Sequence, residues 1–368
     1  MNLQRIDNLD RFETLAPEWA GVTRESSQHS PFLSHDWFRC CWRACSTLRR
    51  PEVLLVEDSA GPVGFVPLVR WKGTMHRVPV RFVGMLDAPD TPFTDWLTVG
   101  PPERVVEAVL TDLARRRDWD VLALSGLPTG SPTVKALEAY LPRRFRWHRL
   151  EPIRSPYVDV SRTWDEFWTA KSQRFKKTVR SVRNRLLKTG TVRVEEHRNA
   201  RAGSAILQEV IAVSGRSWKA GRGVAIANMP HMPEFFQELS ERASLNGWLR
   251  LWILRLDGRA VATEYQLEAD GQVYALRADF DASVPTDLSP GTHLSGEILH
   301  ALFERDGVHE YNMGPGENAY KQRWASDTHE TTRLLIFRPG VFGAALHSFE
   351  TRAIPALRRL RGIDDASR

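Results

Sequence analysis

The residues best placed for chemistry by type and spacing lie in Leu288 to Leu299, LSPGTHLSGEIL. Leu294, Ile298, Ala301 and Leu302 recur at helical steps and Asp306-Gly307 offers a stop, so the spacing predicts one amphipathic helix. Ser289 is then its N-cap and Pro290 its first residue, where a missing N–H costs nothing. Gly291 is out of place by propensity, since a good helix former would be better there by about 1 kcal/mol. A glycine in a first turn lets another group approach the backbone closely. The N–H groups of Gly291, Thr292 and His293 then face that group with the helix dipole behind them, an arrangement that binds phosphate. Ser-Pro-Gly also suits a plain turn, so two readings stay open. Glu264, in VATEYQL, is a carboxylate within a strand pattern that is otherwise apolar. It faces either a ligand-lined space or the outside of the sheet.

The elements that position these residues come from a chain of 368 residues, 42% hydrophobic and 26% charged, enough for about two or three domains. No run of about 18 apolar residues offers a membrane span. MNLQRIDNLDRF lacks the apolar core of a secretory signal, so the cytoplasm is the expected location. Cys40, Cys41 and Cys45 share one predicted helix with no second cluster to complete a metal set; buried, reduced thiols and no metal are expected. The formal net charge is +6, and Lys171 to Lys188 carries eight cations and no acid. Phe175, Val179, Val182 and Leu186 fall on one face of this basic helix, which therefore docks on something. Its outer face is either simply solvated or open to nucleic acid, acidic lipid or a phosphorylated substrate.

Self-similarity organises the chain. Val53 to Leu68 (VLLVEDSAGPVGFVPL) and Trp252 to Leu267 (WILRLDGRAVATEYQL) are each two alternating strands joined by an Asp-to-Gly turn. Each follows an amphipathic helix and precedes a third strand, VRFVGML or QVYALRADF. Then come a helix, ERVVEAVLTDLARRRD or THLSGEILHALFERDG, and a strand, WDVLALSGLP or VHEYNMGPG. The order repeats at a separation of roughly 190 residues, which predicts two tightly packed copies of one α/β domain, a mixed sheet with helices on both faces. The expected boundaries are 1–160 and 161–340, with 341–368 as a helical, basic tail, and SPYVDVSRTWDEFWTAKSQRFKK closing the first copy. The copies differ where the second has Ser289-Pro290-Gly291-Thr292: the first has Gly100-Pro101-Pro102-Glu103. Two prolines remove donors there and Glu103 places a negative charge where an anion would sit. This contrast favours a real ligand site in the second copy and a spoiled one in the first.

With this order of elements, the sequence resembles the GNAT acyltransferase superfamily in the tandem arrangement shared with the FemABX aminoacyl transferases. More closely it resembles the CelD/BcsL-like acetyltransferase family. The matching stretches are SPYVDVS, FKKTVRSVRNRLLKTG, SWKAGRG at Ser217 to Gly223, ADFD followed by LSPGTHL, and YNMGPGENAYKQRW at Tyr311 to Trp324. They cover most of Ser155 to Arg338. SPGTHL departs from the usual Gln/Arg-x-x-Gly-x-Gly/Ala loop while keeping a glycine at the helix start.

The resemblance implies two tandem GNAT-like domains and transfer of an acyl group from acetyl-CoA or another acyl-CoA to an amine, less often a hydroxyl, of a small-molecule or saccharide acceptor. It places the pyrophosphate at Ser289 and the N–H groups of Gly291, Thr292, His293 and Leu294, and the pantetheine between QVYALRADF and the strand carrying Asn312. A backbone N–H at Leu276 to Ala278 would polarise the thioester carbonyl. Glu264 is the first candidate for the base. Asp281 matches the family's Tyr-Asp position but also suits a turn. Tyr320 and Lys321 match its Tyr-Lys pair, the tyrosine to protonate a departing thiolate and the lysine to bind phosphate or position substrate. Trp218, Lys219 and Asp279 are assigned to the acceptor pocket, Gly221 and Gly223 to a flexible loop beside it, while His35 and His293 are less favoured bases. Two other readings compete: a FemABX-like transferase using aminoacyl-tRNA held by Lys171 to Lys188, and a non-catalytic module for a phosphorylated sugar precursor.

Overall fold

The computed structural model describes residues 1–45, 47–201 and 203–354. The first copy runs β1 (Asn2–Ile6), α1 (Leu9–Glu13), α2 (Ala16–Glu25), α3 (His35–Arg43), β2 (Arg49–Asp58), β3 (Gly61–Met75), β4 (Val78–Met85), β5 (Leu97–Thr98), α4 (Pro102–Arg115), β6 (Val121–Pro128), α5 (Pro132–Tyr140) and β7 (Arg146–Asp159). After α6 (Trp164–Ala170) and the basic α7 (Gln173–Thr189), the second runs β8 (Val192–His197), α8 (Ala205–Gly215), α9 (Met232–Leu245), β9 (Leu249–Leu256), β10 (Arg259–Ala269), β11 (Gln272–Phe280), α10 (Pro290–Phe303), β12 (Glu310–Asn312), α11 (Ala319–Trp324) and β13 (Asp327–Phe337). Of the expected tail, Val341–Ser348 is α12, and residues 355–368 lie outside the described ones. No helix among the described residues is long and apolar enough to cross a membrane.

All strands join one mixed sheet, ordered β1-β2-β3-β4-β6-β13-β7-β12-β11-β10-β9-β8, with β5 added beside β3. Two neighbouring pairs are parallel, β4 with β6 and β11 with β12, at matching places in the two copies. The closing strands are exchanged. β13, last in the second copy, lies between β6 and β7, while β7, last in the first, pairs its end Tyr157–Asp159 with β12. SPYVDVS, expected to close the first copy, thus completes the second as well. β1 and β8, absent from the sequence reading, are the two edges.

One face of the sheet carries a single apolar cluster that spans both copies. It includes Trp37 of α3, Phe235 of α9 and Tyr274 of β11. The Trp37 and Phe235 rings meet edge to face at 5.6 Å, which fastens α3 to α9. On the other face each copy has its own core, α4 and α5 in the first, α6 and α10 in the second. α7 docks through the face that the sequence predicts, Phe175 and Val179 in the core that α10 shares and Val182 and Leu186 against Leu288 and Val284 just before α10. Cys40 and Cys41 are buried, and burial pushes the Cys40 thiol up to about 12.

A buried ion cluster occurs at the same place in each copy with its signs largely reversed. In the first, Glu52 accepts from Arg116 at 2.6 Å and pairs with Arg5 at 3.2 Å and Arg70 at 3.3 Å. In the second, Arg250 pairs with Glu268 at 3.1 Å and Glu196 at 3.5 Å, and Arg305 closes the set on Glu196 at 2.7 Å. The registers Arg5↔Leu54 and Glu196↔Trp252, Glu52↔Leu68 and Arg250↔Gln266 show these residues to be equivalent.

Candidate active site

β11 and β12 pair only at Gln272↔Glu310, Val273↔Tyr311 and Tyr274↔Asn312. Beyond that point the chain leaves β11: the Met313 N–H donates to Pro156 O on β7, at 2.9 Å. Asn312 sets this turn, its Oδ1 accepting from the Gly314 N–H at 2.9 Å. Gly314 has φ +76, and a Cβ there would lie 2.7 Å from Ala275 O, so both backbone conformation and close approach require glycine. β11 also carries a bulge. Tyr265 faces Arg277 and Gln266 faces Ala275, leaving Leu276 as the extra residue.

The space between the parted strands is a cavity of about 490 Å³, within the range of small-molecule sites. The α10 start (Ser289, Gly291, Thr292, Leu294), the β11 segment (Leu276, Ala278, Asp279), Glu264, Trp218, Lys219, Tyr320 and Lys321 all line it. Those predicted residues are therefore brought together.

Three others are not. His293, Asn312 and Asp281 do not line the cavity. His293 is buried beside Glu297, with Nδ1 3.7 Å from its carboxylate. Asp281 is 1% exposed and holds the strand end: Arg216 and Arg259 donate to Oδ2 at 2.6 and 2.5 Å, and the Ser283 N–H and hydroxyl donate to Oδ1. Burial opposes its ionisation, but these donors overcome it and pull the carboxyl down to about 2. Its stabilising contribution is present above the unfolded value of about 3.9 and is lost as pH falls through about 2. Asp281→Asn is expected to destabilise the fold by about 1 kcal/mol, because Asp281 is buried but Arg216 and Arg259 remain partly solvated and screened. Thermal melting at neutral pH checks this; the deficit should shrink on acidification. His35 is remote as well, stacked on Phe12 with Nε2 3.0 Å from Phe12 O.

The helix start differs in detail from the expectation. Ser289 stands at the N-cap position, but in a left-handed conformation (φ 41), and its hydroxyl donates to Thr286 O at 2.8 Å instead of capping the helix. Its carbonyl accepts from both Thr292 N–H (2.9 Å) and His293 N–H (3.3 Å). Of the three expected free donors, Gly291 N–H alone lacks an acceptor among the described residues. Arg185 of α7 fixes the preceding loop by donating to Asp287 O at 2.8 Å.

Glu264 is 3% exposed. Its Oε1 accepts from Tyr311 OH at 2.5 Å and Gln266 Nε2 at 2.7 Å, and Trp252 Nε1 steadies Gln266 at 3.0 Å. Burial raises the carboxyl above its ordinary value, against the lowering effect of these donors and of Lys321 and Lys219. Lys219 donates to Ala278 O at 2.8 Å and pairs with Asp279 at 2.9 Å, which ties the Ser217 to Gly223 loop to β11. Trp218, 47% exposed, stands at the rim with the Arg222 guanidinium 4.9 Å from its ring.

Sequence reasoning missed Asp90, Arg277 and Tyr311. Asp90 comes from the first copy's β4–β5 loop, held at φ 67, and lines the cavity. Arg277, 5% exposed, donates to Asp90 at 2.7 Å, to Asp279 at 3.1 Å and to Val224 O, joining both copies at the wall.

Residues 173–322 match the family described as the acetyltransferase (GNAT) domain. No curated protein matches the chain by sequence. A solved structure of a conserved protein of unknown function from Bacteroides thetaiotaomicron is 15% identical with a TM-score of 0.59, covering 92% of this chain and 100% of its own. FemX is 11% identical with a TM-score of 0.55, covering 90% and 97%. A tandem GNAT protein from the clavulanic acid biosynthesis pathway is 13% identical with a TM-score of 0.52, covering 92% and 100%. At these identities the likeness is one of fold. Residues 173–322 thus match a GNAT-type acetyltransferase domain, which supports acyl transfer, within a mixed α/β fold similar to that of tandem GNAT proteins.

Proposed function

We propose that the protein transfers an acyl group from an acyl-CoA to an amine of a small-molecule or saccharide acceptor, by direct attack in the cavity of the second copy. One observation carries this reading. The same cavity is walled by a helix start with a bare Gly291 N–H, by a bulged strand that has lost its β12 partner from Ala275 onward, and by the buried carboxylate of Glu264. A diphosphate suits the first wall, an extended pantetheine the second, and an amine losing its proton the third. With both donors on Oε1, Glu264 Oε2 has no partner among the described residues and serves as the base. Ser289, Gly291, Thr292 and Leu294 hold the pyrophosphate end, Leu276 and Ala278 the thioester end, and Trp218, Lys219 and Asp279 the acceptor.

In this reading residues 1–160 form a degenerate copy that contributes Asp90 to the wall, and 161–340 hold the working site. The resemblance of SPYVDVS and AYKQRW supports assigning the protein to the CelD/BcsL-like branch, and the proposed site of action is the cytoplasm. Calorimetry with acetyl-CoA tests the donor, and a free-thiol assay across a panel of amines tests the acceptor. Absence of acetyl-CoA binding would sink the proposal, and binding of aminoacyl-tRNA in its place would favour the FemX-like alternative.

A further inference from the structure

We propose that Lys321 is the general acid of this reaction, its Nζ donating a proton to the sulfur of the departing coenzyme A. The assignment rests on the acyl-CoA reading and deepens it, because the leaving-group side has a residue only by the family pattern, which names Tyr320.

Lys321 is 6% exposed and projects from α11 to the point where β11 and β12 part. A Cβ built on Gly314 would lie 2.7 Å from Ala275 O and 4.0 Å from Lys321 Nζ, so the amine sits beside the bulged segment of β11. Nζ donates to Gly314 O at 2.9 Å and Pro315 O at 2.8 Å. An ammonium has three donors. The third N–H has no acceptor, and no carboxylate lies within ion-pair distance of Nζ, among the described residues. A buried cation with one unspent donor at the junction of thioester strand and base is suited to the negative charge that develops as a C–S bond breaks.

Tyr320, the neighbour to which the family pattern gives this role, lines the same cavity, but burial pushes its hydroxyl well above the ordinary phenol range, which makes it a poor proton donor to a thiolate. The groups facing Lys321 are Asp90 from the first copy, Lys219, Glu264 on β10, Tyr311 on β12 and Tyr320. Burial lowers the ammonium to about 8, with Asp90 and Glu264 opposing and Lys219 reinforcing. That lies below the range of a free alkyl thiol, so passing the proton to a departing thiolate is favourable. The step balances. The acceptor nitrogen forms the bond to the acyl carbon, the C–S pair leaves on sulfur, sulfur takes a proton from Lys321 Nζ, and the nitrogen's surplus proton passes to Glu264 Oε2. Exchange with solvent then resets both groups.

The test needs no acceptor. Coenzyme A is bound to the full-length protein, and the ultraviolet absorbance of its thiolate is followed across the neutral pH range. The bound thiol is expected to ionise at least about one pH unit below the free thiol. Lys321→Met should abolish that shift, while Lys321→Arg and Tyr320→Phe keep it. Calorimetry confirms that each variant binds coenzyme A, and Lys321→Gln replaces the methionine variant if that one does not. A wild-type thiol that ionises like the free one overturns the proposal, as does a shift that survives Lys321→Met or disappears with Tyr320→Phe. Failure of the wild type to bind coenzyme A at all would remove the acyl-CoA reading itself, a different result from binding without a shift.

Discussion

Gly291→Glu is expected to weaken acetyl-CoA binding at least ~100-fold by calorimetry, because like charge at a desolvated contact costs several kcal/mol. The first turn of α10 is the positive end of the helix dipole, and the Gly291 N–H is its bare donor. A carboxylate placed there neutralises the attraction and repels the pyrophosphate. The matching change in the first copy, Pro102→Glu, should leave affinity within about threefold, since no diphosphate is expected beside a start that already carries Glu103. Gly291→Ala separates charge from bulk. Its Cβ would meet the Phe280 ring at 3.4 Å, an ordinary contact, so a small loss is expected. If Gly291→Glu binds acetyl-CoA as the wild type does, the α10 start is not the phosphate site.

Glu264→Gln is expected to lower kcat by about 10²- to 10⁴-fold, the usual contribution of a positioned base, with acetyl-CoA affinity unchanged. The amide keeps the shape of the carboxylate among Tyr311, Gln266 and Trp252 but accepts no proton. A base must be ionised, so the wild-type rate should rise with pH through the raised value of Glu264, and that limb should vanish in the variant. Stability moves the other way. Burial favours the neutral acid, so Glu264 suits the fold below its unfolded value of about 4.3 and becomes a liability as pH rises through its folded value. Glu264→Gln should therefore be more stable than wild type near neutrality, which melting measures. A variant with unchanged turnover of an amine returned by the thiol assay would remove Glu264 from the chemistry.

The repeat, the fold class and the placing of α10 were legible because alternating strands, Asp-to-Gly turns and helical spacing are local signals. The edge strands β1 and β8 were not. Gln4, Arg5, Glu195 and Glu196 make them half polar, so alternation is faint, and charge is what an unpaired edge favours. The exchange of β7 and β13 leaves no local mark either, because their pairing joins residues more than 160 positions apart. Within the site, a cluster of residues was readable but not its wiring. β11 carries a bulge at Leu276 and is buried at every position from Val273 to Arg277, so no alternation marks Arg277 as a wall residue. Asp90 comes from the other copy. Asp281 fits a family position, yet two arginines occupy its carboxylate.

The sign reversal between the two ion clusters bears on how a duplicated chain assembles without confusion. Two copies alike enough to trade their closing strands are also alike enough to trade their opening ones. Were β1 to add to β9, Arg5 would be set against Arg250; were β8 to add to β2, Glu196 would meet Glu52. Each wrong docking sets like charges side by side, whereas each right one closes an ion pair. The opposite charges thus make each first strand complementary to its own half of the chain and not to the other.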